Sequence, residues 1–211
     1  MNHPVDVEYI RKGFENAGVI SAAKGSGEEE FRKAVRYCRI RGCKVYVTLN
    51  PLCADREIDA IAERAAFISR SGADAVLVQD LGVARVLRAA CPDLTLHAST
   101  QMSVHNLAGV HAAAQLGMQR VVLARELSRD DTQFILDRAE IEIESFVHGA
   151  LCMCASGKCY LSSLLGERSG NRGQCAQPCR WKYALMEETR PGEYMPVFED
   201  ERGTYLYNSK D

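Results

Sequence analysis

No apolar run in the sequence is long enough to cross a membrane, and the N-terminal MNHPVDVEYIRKGFENAG lacks the apolar core of a signal peptide. Without an export signal the cytosol is the expected compartment, where ordinary thiols stay reduced. The chain also lacks an excess of either charge. Its 26 Lys and Arg stand against 28 Asp and Glu, a net −2, which is not the composition of a disordered charged tail. No G-x-G-x-x-G run follows an apolar stretch, which weakens dinucleotide binding. Only five histidines are present and none forms an HExxH pair, the zinc-peptidase pattern. Cysteine, by contrast, is plentiful, with nine in 211 residues. In a reducing compartment that number argues against a disulfide framework and for metal or cluster ligation.

The length suits one domain with a full core, or a large piece of a bigger one. Residues 1–27 carry Gly13, Gly18, Gly25 and Gly27 and show no periodicity. From Glu28 the pattern becomes regular. Phe31, Val35 and Cys38 recur at helical spacing up to Gly42, and KVYVTLN (Lys44–Asn50) is a short apolar strand. Helical spacing returns at Ile58, Ile61, Ala65 and Ile68, followed by the strand DAVLVQD (Asp74–Asp80). A helix over Leu81–Ala90 leads to the strand LTLHAS (Leu94–Ser99), and one over Leu107–Leu116 leads to RVVLAR (Arg120–Arg125). Ser128 with Asp131 starts a further helix, and IEIESFV (Ile141–Val147) is the fifth strand.

Strands alternating with helices across short turns imply parallel βαβ units, in an open doubly wound sheet or a (β/α) barrel. The strand ends favour the barrel. Asn50, Gln79-Asp80, His97 with Ser99-Thr100-Gln101, Arg125-Glu126 and His148 all follow apolar strands at the carboxyl end, where barrels gather their chemistry. Five such strands are too few for eight, so the expected fold is α/β, a TIM-barrel-like (β/α) arrangement that is incomplete. Residues 184–211 read as a β-hairpin-like segment, with short strands at Tyr183–Glu187 and Tyr205–Asn208. The domain reading is thus 1–27 divergent, 28–150 barrel units, 151–183 cysteine-rich and 184–211 β. Apolar edges left open by missing units call for a partner chain or the remainder of a longer polypeptide.

The cysteine-rich stretch holds Cys152, Cys154, Cys159, Cys175 and Cys179. The spacing Cys152-x6-Cys159-x15-Cys175-x3-Cys179 is neither a zinc-finger pair nor the common ferredoxin run, so it does not name a metal. Four soft sulfurs suit tetrahedral zinc, as in a structural module, or an iron–sulfur cluster. Cys154 is a fifth thiol, expected to turn away. Arg168, Arg172, Arg180 and Lys182 interleave with Tyr160, Trp181 and Tyr183. That mixture fits phosphate contacts and base stacking, and equally a solvated loop around one buried Trp.

ESFVHGALCMCASGKCYLS resembles the signature of the collagenase-like peptidase family U32, with Glu144, Phe146, Gly149, Cys152, Gly157, Cys159 and Ser162 in place. SGNRGQCAQPCRWKY, HASTQMSVHN, RVVLARELS and Asn208-Ser209-Lys210-Asp211 are similar to further family segments. The resemblance begins near residue 28 and implies one of two activities, either peptide hydrolysis or oxygen-independent hydroxylation of tRNA or rRNA. The second implies a four-iron four-sulfur cluster on Cys152, Cys159, Cys175 and Cys179, with prephenate as oxygen-donating co-substrate. The candidate catalytic residues are His97, Gln101, Arg125, Glu144 and His148, with Arg125 as the expected partner of Glu144. Arg168, Arg172, Arg180 and Trp181 are the candidate RNA contacts. A peptidase needs an activated nucleophile or a metal-bound water; neither is legible, so an RNA substrate is favoured over a protein one.

Overall fold

A computed structural model describes residues 26–149, 151–186, 188–189, 191–192, 194–195, 197–201 and 203–206. The N-terminal segment read as divergent therefore lies, through residue 25, outside the described residues, as does Asn208-Ser209-Lys210-Asp211. The chain divides into two compact units, Met1–Ala176 and Gln177–Asp211.

In the first unit, helix α1 (Ser26–Arg39) buries Phe31, Val35 and Cys38, with Glu28 and Glu29 in its first turn and Arg36 and Arg39 in its last, which complements the helix dipole. Strand β1 (Tyr46–Leu49) follows, then α2 (Ile58–Arg70), β2 (Ala75–Val78), α3 (Leu81–Ala90), β3 (Leu96–Ala98), α4 (Leu107–Gln115), β4 (Arg120–Val122), α5 (Arg129–Leu136) and β5 (Glu142–Glu144). Side chains start three of these helices. Asp80 accepts from Val83 N at 3.0 Å, Asn106 from Gly109 N at 2.8 Å and Ser128 from Asp131 N at 3.1 Å. Gly117, at φ +81°, takes the left-handed turn that ends α4.

The five strands are parallel and lie in the order β1-β2-β3-β4-β5. That order decides between the two expected architectures. A doubly wound sheet reverses its strand order to place helices on both faces. Right-handed crossovers between successive neighbours keep every helix on one face, as in a barrel wall. The register agrees. Val47, Val76 and Leu96 align, as do Leu49, Val78, Ala98, Val121 and Ile143, and these residues join Val35, Ile61, Ile68, Leu87, Val110 and Ile135 in the helix-packed core. The opposite face carries Tyr46, Thr48, Leu77, His97, Arg120, Glu142 and Glu144. The fold is thus α/β and TIM-barrel-like, with five strands of the wall among the described residues. No described helix is long and apolar enough to cross a membrane.

Beyond β5 the first unit adds helix α6 (Leu161–Gly166). The second unit holds two antiparallel ribbons, β6 (Leu185–Met186) with β7 (Tyr194–Met195) and β8 (Val197–Asp200) with β9 (Gly203–Leu206). The C-terminal β character is as expected but its pairing is not. Residues 203–206 pair with 197–200, where the sequence reading joined a strand at Tyr205–Asn208 to Tyr183–Glu187; residues 207–208 lie outside the described residues.

Leu96 is fully buried in the row it shares with Val47 and Val76. Leu96→Ala is expected to cost about 2–5 kcal/mol, read as a lower urea midpoint at unchanged slope.

Candidate functional site at the carboxyl ends of the strands

The cysteine-rich segment is tied to the strand ends at two places. The first tie is Ser156, which is 1% exposed. Its hydroxyl accepts from Arg125 N at 3.3 Å and Arg125 Nε at 3.1 Å. Its amide donates to Glu126 Oε1, and its carbonyl accepts from Ser103 Oγ. Ser103 follows β3, and Arg125 and Glu126 follow β4. Burial raises the Glu126 carboxyl, but its own backbone N–H, that of Ser156 and the Arg125 charge outweigh this and hold it below the usual range. Next in the chain, Gly157 sits at φ +72°, and a Cβ there would stand 1.9 Å from the Gln101 carbonyl oxygen. Only glycine allows that approach.

The second tie is the turn Gly170–Arg172. Asn171 is buried, and its carbonyl accepts from Leu52 N at 3.1 Å and Gln79 Nε2 at 3.0 Å. The Gln79 amide also donates to the Asn50 carbonyl. Arg172 donates to Leu52 O at 2.8 Å and grips Glu57 with two bonds, at 2.6 and 3.1 Å. The Arg172 hydrogen bonds, followed by the Ala54 N–H, bring the Glu57 carboxyl down to about 2. This corrects the reading of Arg172 as an RNA contact. Its guanidinium is committed to a carboxylate that is 13% exposed, a bidentate pair and not a free phosphate ligand. Gln79, Gln101 and Arg125, all singled out as strand-end residues, therefore meet the cysteine-rich segment, and Asn50 is linked to it through Gln79.

The thiols of Cys154 and Cys159 are neighbours on either side of Ser156. Partial desolvation, followed by the neighbouring Cys159 and Cys152, pushes the Cys154 thiol up. Cys154, the fifth thiol, thus has Cys159 as a neighbour. Cys152, Cys154 and Cys175 are exposed and Cys159 is half-buried. Cys175 lies against Gly170, whose added Cβ would stand 3.9 Å from its sulfur. Ser162 is buried and its hydroxyl accepts from Ala176 N at 2.9 Å, so it is structural. Among the described residues no three His, Cys, Asp or Glu side chains stand close enough to hold a metal ion. The donor set nonetheless fits a thiolate-bound metal or cluster in kind, with soft sulfurs held at solvent-facing positions.

A second polar group covers the sheet face away from the helices. Arg120 bridges Glu142 at 2.6 Å and Glu144 at 3.1 Å, and its guanidinium lies 5.2 Å from the Tyr46 ring centre. The partner of Glu144 is therefore Arg120, not Arg125. The two arginines are five positions apart, and Arg120 pairs directly with Glu142 in the strand register. His97 is 4% exposed, edge-on to Tyr46 with ring centres 5.0 Å apart, and its Nδ1 has no hydrogen-bond partner among the described residues. Burial, then the Arg120 charge, lowers its pKa and favours the neutral ring. The five candidate catalytic residues thus fall into separate sets. Gln101 and Arg125 touch the cysteine loop, His97 and Glu144 belong to the Arg120 group, and His148 is exposed beyond β5. Tyr46, Arg120, Ser156 and Glu57 escaped the sequence reading; only Glu126 carried a signal, as the residue ending a strand.

Arg168 is exposed and donates from Nε to Gln174 O at 3.1 Å. In the second unit Cys179 and Arg180 are exposed within the turn Pro178–Arg180. Trp181 is 54% exposed, which disagrees with a loop built round a buried tryptophan.

A barrel-type parallel sheet with a cysteine-rich segment pinned across its carboxyl ends defines the class of protein. The family is peptidase family U32, to which the chain belongs; the family's sequence model matches residues 8–211, upstream of residue 28 where the sequence reading began. The chain is 32% identical to tRNA hydroxylation protein P of Escherichia coli, over 87% of this chain and 49% of that one. It is 32% identical to tRNA hydroxylation protein P1 of Bacillus subtilis, over 100% and 49%. It is 35% identical to the 23S rRNA 5-hydroxycytidine C2501 synthase of Escherichia coli, over 88% and 28%. The chain spans about half the length of the first two relatives.

The Glu57–Arg172 pair ties acid stability to the second anchor. A carboxyl lowered from 4.5 to about 2 stabilises the fold above the unfolded value, and that stabilisation is lost as pH falls through this window. Urea midpoints of Glu57→Gln are expected below wild type at pH 7 and to converge on it by pH 2.

Proposed function

We propose that the chain forms the cysteine-bearing part of an enzyme that hydroxylates a base of tRNA or rRNA. Three relatives named for RNA hydroxylation match 87–100% of its length. The observation that carries the reading is the double pinning of the thiol-bearing segment onto the sheet's carboxyl ends, the position at which barrel enzymes act.

Cys152, Cys159, Cys175 and Cys179, assigned by sequence position, are the ligands of a four-iron four-sulfur cluster in this proposal. When bound, the cluster supplies one-electron chemistry. The protein's own residues orient and shield. The ties at Ser156 and Asn171 hold the loop, Arg125 carries its remaining donors beside it, and Arg168, Arg180 and Trp181 offer exposed cations and a stacking surface to RNA. Buried His97, its pKa lowered chiefly by burial, stands on the sheet face away from the helices. The family resemblance brings prephenate into the proposal as oxygen donor, and a cytosolic setting accords with reduced thiols. The peptidase reading has less support, because Ser162 in the signature is buried and bonded to backbone.

Anaerobic reconstitution with ferrous iron and sulfide, followed by metal analysis and mass spectrometry of tRNA and rRNA incubated with the protein and prephenate, tests the reading. Bound iron with sulfide and a gain of one oxygen on an RNA base are expected. Serine at Cys152, Cys159, Cys175 or Cys179 is expected to abolish cluster absorbance, while Cys154→Ser leaves most of it. Stoichiometric zinc without iron in the wild type would overturn the cluster.

A further inference from the structure

We propose that Ser156 with its three partners is a positioning device that sets the separation of the cysteine ligands and slows loss of the cluster. The inference rests on the cluster reading above and concerns residues that bind no metal themselves. Residues 155–158 form the link between Cys154 and Cys159, closed by a bond from Lys158 N to Ala155 O at 3.1 Å. The thiols at Cys152 and Cys154 are exposed, and Met153 between them is 84% exposed. Their own packing does little to place them. The nearest fixed point is Ser156, where the amide, the carbonyl and the hydroxyl are all bonded to groups that follow β3 and β4.

A buried serine bonded in this way cannot shift without leaving a buried polar group unpaired. Gly157 removes the remaining freedom, since its backbone lies against the Gln101 carbonyl at a distance no other residue tolerates. The pair Ser156-Gly157 therefore fixes where the chain enters the ligand region, and Glu126 and Ser103 fix Ser156. Partners of this kind, one bond removed from the ligands, govern how tightly a metal is kept. Glu126 separates placement from mere stability, because it is exposed and its loss opens no cavity.

The test uses the reconstituted full chain and follows iron transfer to a ferrous chelator by absorbance, under anaerobic conditions. Ser156→Ala and Glu126→Ala are expected to lose iron about 10–100-fold faster than wild type. Glu126→Gln, which keeps an acceptor oxygen for the Ser156 amide, is expected to stay near the wild-type rate. Circular dichroism at the assay temperature checks folding, and Glu126→Ala provides a folded comparison should Ser156→Ala unfold. Equal rates in wild type, Ser156→Ala and Glu126→Ala would overturn the positioning role, as would Glu126→Gln losing iron as fast as Glu126→Ala. A wild type that takes up no iron and sulfide would instead overturn the cluster reading, and this inference with it.

Discussion

The hydrogen bonds around Ser156 are the constraint on which the rest of the site depends. A glycine-rich, solvent-facing loop has little apolar surface to bury and cannot be placed by the hydrophobic effect. Polar bonds to a rigid base do the placing. They succeed because Ser156 is itself shielded from water, where an intact bond competes with nothing and a broken one is costly. The strands supply the base. Their order puts Ser103, Arg125 and Glu126 side by side, so one loop residue reaches two strand ends at once.

The two faces of the sheet divide the labour. One face is aliphatic, packed under helices, and holds the wall together. The other holds Arg120 between two carboxylates, with Tyr46 and His97 alongside. A cation that satisfies two acids lets like charges share a strand face that would otherwise repel. Its charge also adds to burial in lowering the pKa of His97.

Much of the fold was legible because helix signals are local. Ser128, read as a helix start, caps its helix within four residues, and Asp80 and Asn106 do the same in the structure for the helices placed by their apolar spacing. Strand ends were legible for the same reason, being polar residues directly after apolar runs. What was hidden depends on distance along the chain. Arg172 looks like a nucleic-acid cation beside aromatics, and its partner Glu57 lies 115 positions away. The choice of Arg125 for Glu144 failed on register, since alternation along β4 settles which arginine shares a face with an acid only once the alignment is known.

The sequential strand order also shapes how such a molecule assembles. Each strand pairs with the one made just before it, so the wall grows through contacts of short loop length, the entropically cheap kind. The ties of the cysteine-rich segment reach back 53 positions from Ser156 and 120 from Arg172. They close only on a wall already built. The cysteine-bearing segment is consequently set in place last, after the scaffold that receives it has folded, so its placement reports on a finished wall and not on a nascent one.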